Sequence, residues 1–323
     1  MTPRRVAVLK GGPSLERQVS MRSAARVEDA LERLGVDYVS IDVGRTLVDD
    51  LRTSAADVAF VALHGRGGED GTVQELLEIV GIPYTGSGVL ACMRCMDKVL
   101  TKHMLRDAGL PTPDFFAFSE IAFKELGAGE ALPAIEERLG FPVVVKPAAQ
   151  GSALGIKFAR DASDVPEALI AAFSYDDRVL LERHVTGREL AISLLEGQDG
   201  VEALPVVEAK PRQEYFYDFE ARYEIGKTDF ACPADLPADV TARVQEVAVD
   251  TYRMLGCYGF ARIDTILSDS GEPQVLEAQA IPGLTETSLL PQAAEAAGIT
   301  FEQLVERMLE QALARSGAPA AAS

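Results

Sequence analysis

The chain has 323 residues, 47% of them apolar, with 50 acidic against 31 basic side chains and a formal net charge of −19. That length carries two or three domains, and that charge excludes sequence-independent nucleic-acid binding and docking on anionic membrane, both of which need a positive field. No apolar run approaches the ~20 residues that span a bilayer, and residues 1–12 hold two arginines but no long apolar stretch, so they read as the approach to a first strand rather than a signal peptide.

VAVLK (6–10) is a β-rich apolar run ending at Gly11-Gly12. From Ser20, apolar positions such as Val27, Leu31 and Leu34 recur at helical spacing up to Gly35, with Ser20 itself expected as the helix N-cap. YVSIDV (38–43) and DVAFVAL (57–63) read as strands, and TVQELLEIV (72–80) as a helix. This alternation implies a parallel sheet covered by helices. Ligands of such sheets lie beyond the carboxyl ends of the strands, where Gly11-Gly12 and HGRGGEDG (64–71) fall. Cys92 and Cys95 form a CxxC inside GVLACMRCMDK, which reads as helix, and Cys232 and Cys257 lie far along the chain. With no second ligand pair, all four read as structural thiols in a reducing cytosol.

A second unit starts near Asp97. DKVLTKHMLRDAGL is helical up to Gly109, FPVVVKP (141–147) and IKFAR (156–160) are strands around the loop AAQGSALG, a helix follows near 164–174, and RVLLERHV (178–185) is a strand. A third unit runs from Thr186, with strands near 188–196 and 201–209 and then a long loop at 210–230. A helix at about 236–255 leads to FARIDTIL and PQVLEAQA, joined by the turn SDSGE, before two final helices. The expected division is therefore 1–96, 97–185 and 186–315, with 316–323 a frayed tail.

Several clusters carry chemistry. Lys146 ends an apolar strand before a loop whose Gly151 and Gly155 let backbone N–H groups close over an anion, and with Lys98 this suits nucleotide phosphates; an ordinary hairpin beside a surface lysine reads as well from the loop alone. Glu182 and Glu189 could accept from an adenine amine and a ribose hydroxyl, or simply form a solvated sheet edge. Arg262 and Asp264 share one face of a strand, and Glu277 and Gln279 share one face of the next. A short turn joins the two strands, so antiparallel pairing brings Asp264, Glu277 and Gln279 together. Neighbouring carboxylates repel, and an all-oxygen set suits Mg²⁺. Glu16 could neutralise a substrate ammonium. EYFYDFEARYEIGKT (214–228), aromatic and with Arg222 and Lys227, reads as a lid that excludes water.

Taken together, GGPSLERQVS, ALHGRGGEDGTVQ, PYTGSG, MDK, FPVVVKP, GSALGI, YDFEARY, CPA, GC-x-GFARID and IPGLTETSLLP occur in one order. In this the chain resembles bacterial D-alanine–D-alanine ligases of the ATP-grasp superfamily, from Val6 to about Leu313. The resemblance implies an α/β fold: an N-terminal parallel α/β domain, then a two-part ATP-grasp fold with nucleotide between its two sheets. It implies that ATP phosphorylates the carboxylate of a first D-alanine and that the amine of a second attacks the acyl phosphate, for peptidoglycan synthesis. By the same resemblance Lys98, Lys146 and Arg222 serve the phosphates and Glu182 and Glu189 the adenosine. Asp264, Glu277 and Gln279 hold one or two Mg²⁺ ions, for which Mn²⁺ can substitute. Glu16 binds the first ammonium, His64 contacts substrate, and Ser152 and Tyr223 close over the first D-alanine. Arg262 and the Gly283 N–H stabilise the oxyanion, and Ser288 and the Leu289 N–H take the second carboxylate. The implied protein is a cytoplasmic homodimer with no nucleic-acid or membrane partner. Family members usually carry Asn where Gln279 stands, Glu where Gln150 stands and Lys where Arg222 stands. A ligase for another amino or hydroxy acid, or a catalytically silent nucleotide-binding homologue, are the competing readings.

Overall fold

A computed structural model describes residues 5–197, 199–211 and 228–316. Among these residues the strands form three sheets. The first is parallel, in the order β2-β1-β3, built from β1 (Arg5–Lys10), β2 (Asp37–Asp42) and β3 (Val58–Val61). Val6 to Leu9 have no exposed surface, as expected for a strand covered on both faces. The helix Arg17–Leu34 lays Ala24, Val27 and Leu31 on the sheet and ends at Gly35 in the left-handed region, where a side chain would be strained.

That helix starts before Ser20, with Glu16 at the N-cap position, so Ser20 is not its cap. The Ser20 hydroxyl instead donates to Ala62 O at 2.7 Å and accepts the Gly11 N–H at 2.8 Å. It ties the exits of β1 and β3 together, a tertiary use that outranks the local capping preference.

The second sheet is antiparallel, in the order β4-β7-β5-β6: β4 (Phe115–Ser119), β5 (Val143–Pro147), β6 (Lys157–Ala159) and β7 (Arg178–Arg183). The third runs β11-β10-β8-β12-β13, with β9 also paired to β8. Its members are β8 (Gly187–Gly197), β9 (Gly200–Ala203), β10 (Val207–Pro211), β11 (Thr228–Ala231), β12 (Phe260–Ser268) and β13 (Pro273–Gln279). The single strand expected at 201–209 is thus two strands, β9 and β10. The break falls at Leu204-Pro205, where proline offers no N–H to a ladder.

The cores do not divide in chain order. Ala7, Leu9, Ala59 and Val61 share one apolar cluster with Ile192, Leu194, Ile263 and Val275 of the third sheet. Val6, Val8, Val58 and Phe60 share another with Leu290, Leu304 and Met308 of the two final helices, Leu289–Ala296 and Phe301–Ser316. The second sheet has its own cluster, including Val143, Val145, Leu169, Val179 and Leu181. The first and third sheets therefore form one packed frame, and the second sheet stands against it across a cleft. Among the described residues, no helix is long and apolar enough to cross a membrane.

Candidate active site

The cleft between the second and third sheets has apolar walls, including Val144, Phe158, Leu190 and Leu276, with Lys146, Glu182, Glu189, Asp264 and Glu277 among its polar lining. Such a slot accepts a flat base between apolar faces and puts charge at its mouth. Lys146 leaves the end of β5 with its ammonium 2.5 Å from Glu182 Oε1 on the neighbouring strand β7. The other carboxylate oxygen, Oε2, is 2.6 Å from the ammonium of Lys102. Lys102 has no exposed surface and also donates to Thr112 Oγ1. Burial pushes its ammonium down to about 8. Burial opposes ionisation of Glu182 as well, but the two ammonium groups outweigh it and hold its carboxyl below the ordinary range. Glu182 is therefore paired with two lysines at 2% exposure in the cleft wall. Glu189 is half-buried in the cleft wall. Lys102 was not singled out in the sequence, although it lies one helical turn beyond Lys98 on the same helix, Lys98–Asp107.

Lys98 links the loop 148–155 to the third sheet. Its ammonium donates to Gln150 O at 2.8 Å and lies 3.2 Å from Glu277 Oε2. The loop is pinned from the other side by Asp176, which accepts the Ala149 N–H at 2.8 Å and pairs with Arg66 at 3.1 Å. A Cβ at Gly151 would lie 2.8 Å from a Glu16 oxygen, so a larger residue there would displace the Glu16 carboxylate.

On β12 and β13 the register is Arg262 opposite Gln279 and Asp264 opposite Glu277, so the four polar residues do converge on one face. Arg262 forks onto Asp264 with contacts of 2.7 and 2.8 Å, and the Gln279 amide nitrogen reaches Glu277 Oε1 at 3.4 Å. Among the described residues no cluster of three or more His, Cys, Asp or Glu side chains suits a metal. Two carboxylates and one amide nevertheless suit Mg²⁺, which binds through one or two carboxylates and fills its shell from phosphate and water. The donor set fits, with one condition: Gln279 must turn its amide over to offer oxygen.

Glu16 lies where the first sheet meets the loop 148–155. It is 3% exposed, and Oε1 accepts from Ser152 Oγ. Oε2 is buried with no hydrogen-bond partner among the described residues. Burial, reinforced by the charge of Glu69, pushes the carboxyl up to about 7. A buried acceptor left unmet is costly, and an ammonium entering here would satisfy it. His64, 3% exposed, has Nδ1 2.9 Å from Glu69 Oε1 and Nε2 2.9 Å from Ser23 Oγ.

At the end of β13 the chain turns through Gly283, where a Cβ would lie 2.8 Å from Ser288 Oγ. Ser288 Oγ accepts the Thr285 N–H at 2.9 Å and precedes the helix Leu289–Ala296, whose N-terminus suits an anion. Arg222 and Tyr223 lie outside the described residues. The cysteines are unpaired as disulfides, and Cys95 Sγ lies 3.6 Å from Cys257 Sγ in the interior.

Comparison with known proteins gives a consistent result. Residues 104–310 match the family described as D-ala D-ala ligase C-terminus, and residues 44–87 match D-ala D-ala ligase N-terminus. The chain is 43% identical over 309 residues to the D-alanine--D-alanine ligase of Moorella thermoacetica, covering 96% of this chain and 99% of the relative. It is 44% identical over 312 residues to that of Syntrophotalea carbinolica, covering 97% of each. Among solved structures, the D-alanine--D-alanine ligase of Bacillus anthracis superposes with a TM-score of 0.84 at 35% identity, and its ATP complex with 0.81 at 32%, each covering 97% of this chain and 98% of the other. A D-Ala:D-Ser ligase of Enterococcus faecalis gives 0.80 at 27% identity, covering 97% of this chain and 100% of the other.

Proposed function

The chain belongs to the D-alanine–D-alanine ligase family, and on that premise we propose that it joins two D-alanines to D-alanyl-D-alanine, converting ATP to ADP and phosphate, for peptidoglycan synthesis. The observation that carries the reading is Lys98, whose one ammonium holds both the Gln150 carbonyl of the nucleotide loop and Glu277 of the acidic strand pair. ATP lying in the cleft would have its phosphates at that junction, next to Lys146. Phosphoryl transfer needs positioning and charge neutralisation rather than a protein nucleophile, and this arrangement offers both.

A carboxylate oxygen of the first D-alanine attacks the γ-phosphorus, the bond to the bridging oxygen breaks, and ADP leaves. The amine of the second D-alanine, having lost a proton, attacks the acyl carbon; the carbon–oxygen bond to phosphate then breaks and phosphate leaves. Glu16 holds the first ammonium, with Ser152, His64 and Tyr223 around it. Lys98, Lys146 and Arg222 orient the phosphates, and Glu189 the ribose. Arg262 and the Gly283 N–H hold the oxyanion of the tetrahedral intermediate, and Ser288 with the Leu289 N–H holds the carboxylate of the second D-alanine. Asp264, Glu277 and Gln279 would hold Mg²⁺, which when bound would supply further neutralisation of the phosphoryl charge.

In this reading residues 1–96 bind substrate and 97–185 with 186–315 enclose ATP. The enzyme works in the cytoplasm as a homodimer, which light scattering checks. The deciding experiment measures ADP release and product mass with D-alanine, D-serine, D-lactate and L-alanine. Dipeptide from D-alanine alone supports the proposal. A mixed D-alanyl-D-serine product would favour the likeness to the Enterococcus faecalis protein, and no ADP release with any acid would mark a catalytically silent homologue.

A further inference from the structure

The turn assigned above to the second amino acid is gripped from outside the site by the helix Arg17–Leu34. Ser23, with no exposed surface, accepts the Leu284 N–H at 3.1 Å and sits 2.9 Å from His64 Nε2. His64 Nδ1 faces Glu69 Oε1 at 2.9 Å. A carboxylate only accepts, so Nδ1 carries a proton, and in the neutral ring Nε2 then has only a lone pair. With the ring in that tautomer, Ser23 gives its one proton to His64, and its oxygen receives the Leu284 N–H. Every proton in the row Glu69–His64–Ser23–Leu284 is thereby placed in one direction. Arg26, one helical turn on, donates to Leu284 O at 2.8 Å and to Thr285 O at 2.6 Å. The N–H and C=O of Leu284 are both fixed by a helix that begins next to Glu16.

We infer that Ser23 is a positioning residue for the second amino acid. It sets the backbone of Leu284, and with it the turn from Gly283 to Ser288. The inference rests on the ligase reading, and its test separates the two.

Ser23→Ala removes the hydroxyl with almost no change of shape and leaves the Leu284 N–H and His64 Nε2 unmet. Rates of ADP release against D-alanine concentration, at saturating ATP and Mg²⁺, resolve a donor KM and an acceptor KM. The acceptor KM rises about tenfold, the scale of one unmet buried hydrogen bond, while the donor KM and the ATP KM stay within about twofold. Arg26→Met, at a half-buried position, gives the same split, and Arg26→Lys, which keeps a donor, restores part of it; these two decide the matter if Ser23→Ala fails to fold. An unchanged acceptor KM in both Ser23→Ala and Arg26→Met, or an equal rise in all three constants, overturns the inference. A wild type that releases no ADP with D-alanine overturns the ligase reading itself.

Discussion

Replacing Glu16 by Gln tests the first-substrate pocket through two independent readouts. In the fold the Glu16 carboxyl is pushed from its ordinary 4.5 up to about 7, first by burial and then by the charge of Glu69. A raised carboxyl means that the fold disfavours the charged form. The penalty is absent below pH 4.5, grows as the pH rises, and is complete above about 7. At 1.36 kcal/mol per pH unit, the span from 4.5 to about 7 is worth about 3 kcal/mol of stability lost by the unliganded protein at pH 8. Glu16→Gln keeps the size, removes the charge and removes this loss. Thermal unfolding followed across pH 5–8 should show the variant melting several degrees above wild type at pH 8, with the gap closing towards pH 5. The same variant should lose D-alanine ligation, because the first ammonium has no counter-charge. In the wild type, affinity for the first D-alanine should fall as the pH drops below about 7, where the carboxyl takes up its proton. A constant gap between the two melting curves, or a wild type that gains stability between pH 5 and 8 relative to the variant, would refute the buried-charge argument.

Other outcomes follow from the same geometry. Arg262→Met should lower kcat by about 10²–10³, the scale of one lost oxyanion donor, and leave ATP affinity nearly unchanged; equal losses in both would make Arg262 a structural partner of Asp264. Lys102→Met leaves Glu182 with one ammonium instead of two, so chemical denaturation should show a loss of about 3–5 kcal/mol, as for a broken buried pair. A loss under ~1 kcal/mol would mean that Lys146 alone suffices. Depsipeptide from D-alanine and D-lactate should be a minor product beside dipeptide near neutral pH, and mass spectrometry of the mixture decides it. Gln279→Asn should keep or improve Mg²⁺-dependent turnover, whereas Gln279→Leu should raise the Mg²⁺ requirement and slow the rate. An unaltered Mg²⁺ titration in the Leu variant would leave the ion to Asp264 and Glu277.

How much of this was legible in the sequence depends on the range of each interaction. That Asp264 and Glu277 lie near each other could be read because a short turn joins their strands, but their exact pairing could not: a register shift between Asp264 and Thr265 puts Glu277 opposite Asp264, where an unbroken ladder from the turn would put Leu276. The break between β9 and β10 was equally readable, since Pro205 marks it, and it was passed over in favour of one long strand. β4 was not read at all: FFAFS has three phenylalanines in five residues and shows no alternation. Ser20 was misread because a capping preference is a local statistic, and its actual partners are Gly11 and the distant Ala62. Lys102, Ser23 and Arg26 escaped for a related reason. Each looks like an ordinary helical residue, and its meaning comes from Glu182, His64 and Leu284, which only the fold brings near.

The same pairings reconcile the net charge of −19 with a polyanionic co-substrate. Lys98, Lys102, Lys146 and Arg262 are each at most 6% exposed, and each stands against a carboxylate: Glu277, Glu182, Glu182 and Asp264. In the unliganded protein four basic groups thus face three carboxylates, Glu182 being shared by two lysines, and the excess negative charge of the chain lies elsewhere. Attraction between buried charges is screened less than attraction across solvent, so the field that ATP meets is set by these four cations rather than by the total. Their carboxylate partners make that field adjustable. A phosphate oxygen that takes over part of the Lys98 ammonium weakens its hold on Glu277, one of the two carboxylates that the Mg²⁺ reading requires. The cleft would then bind nucleotide and metal together more readily than either alone. ATP titrated with and without Mg²⁺ should show that cooperativity in wild type, and Glu277→Gln, which removes the carboxylate facing Lys98, should abolish most of it.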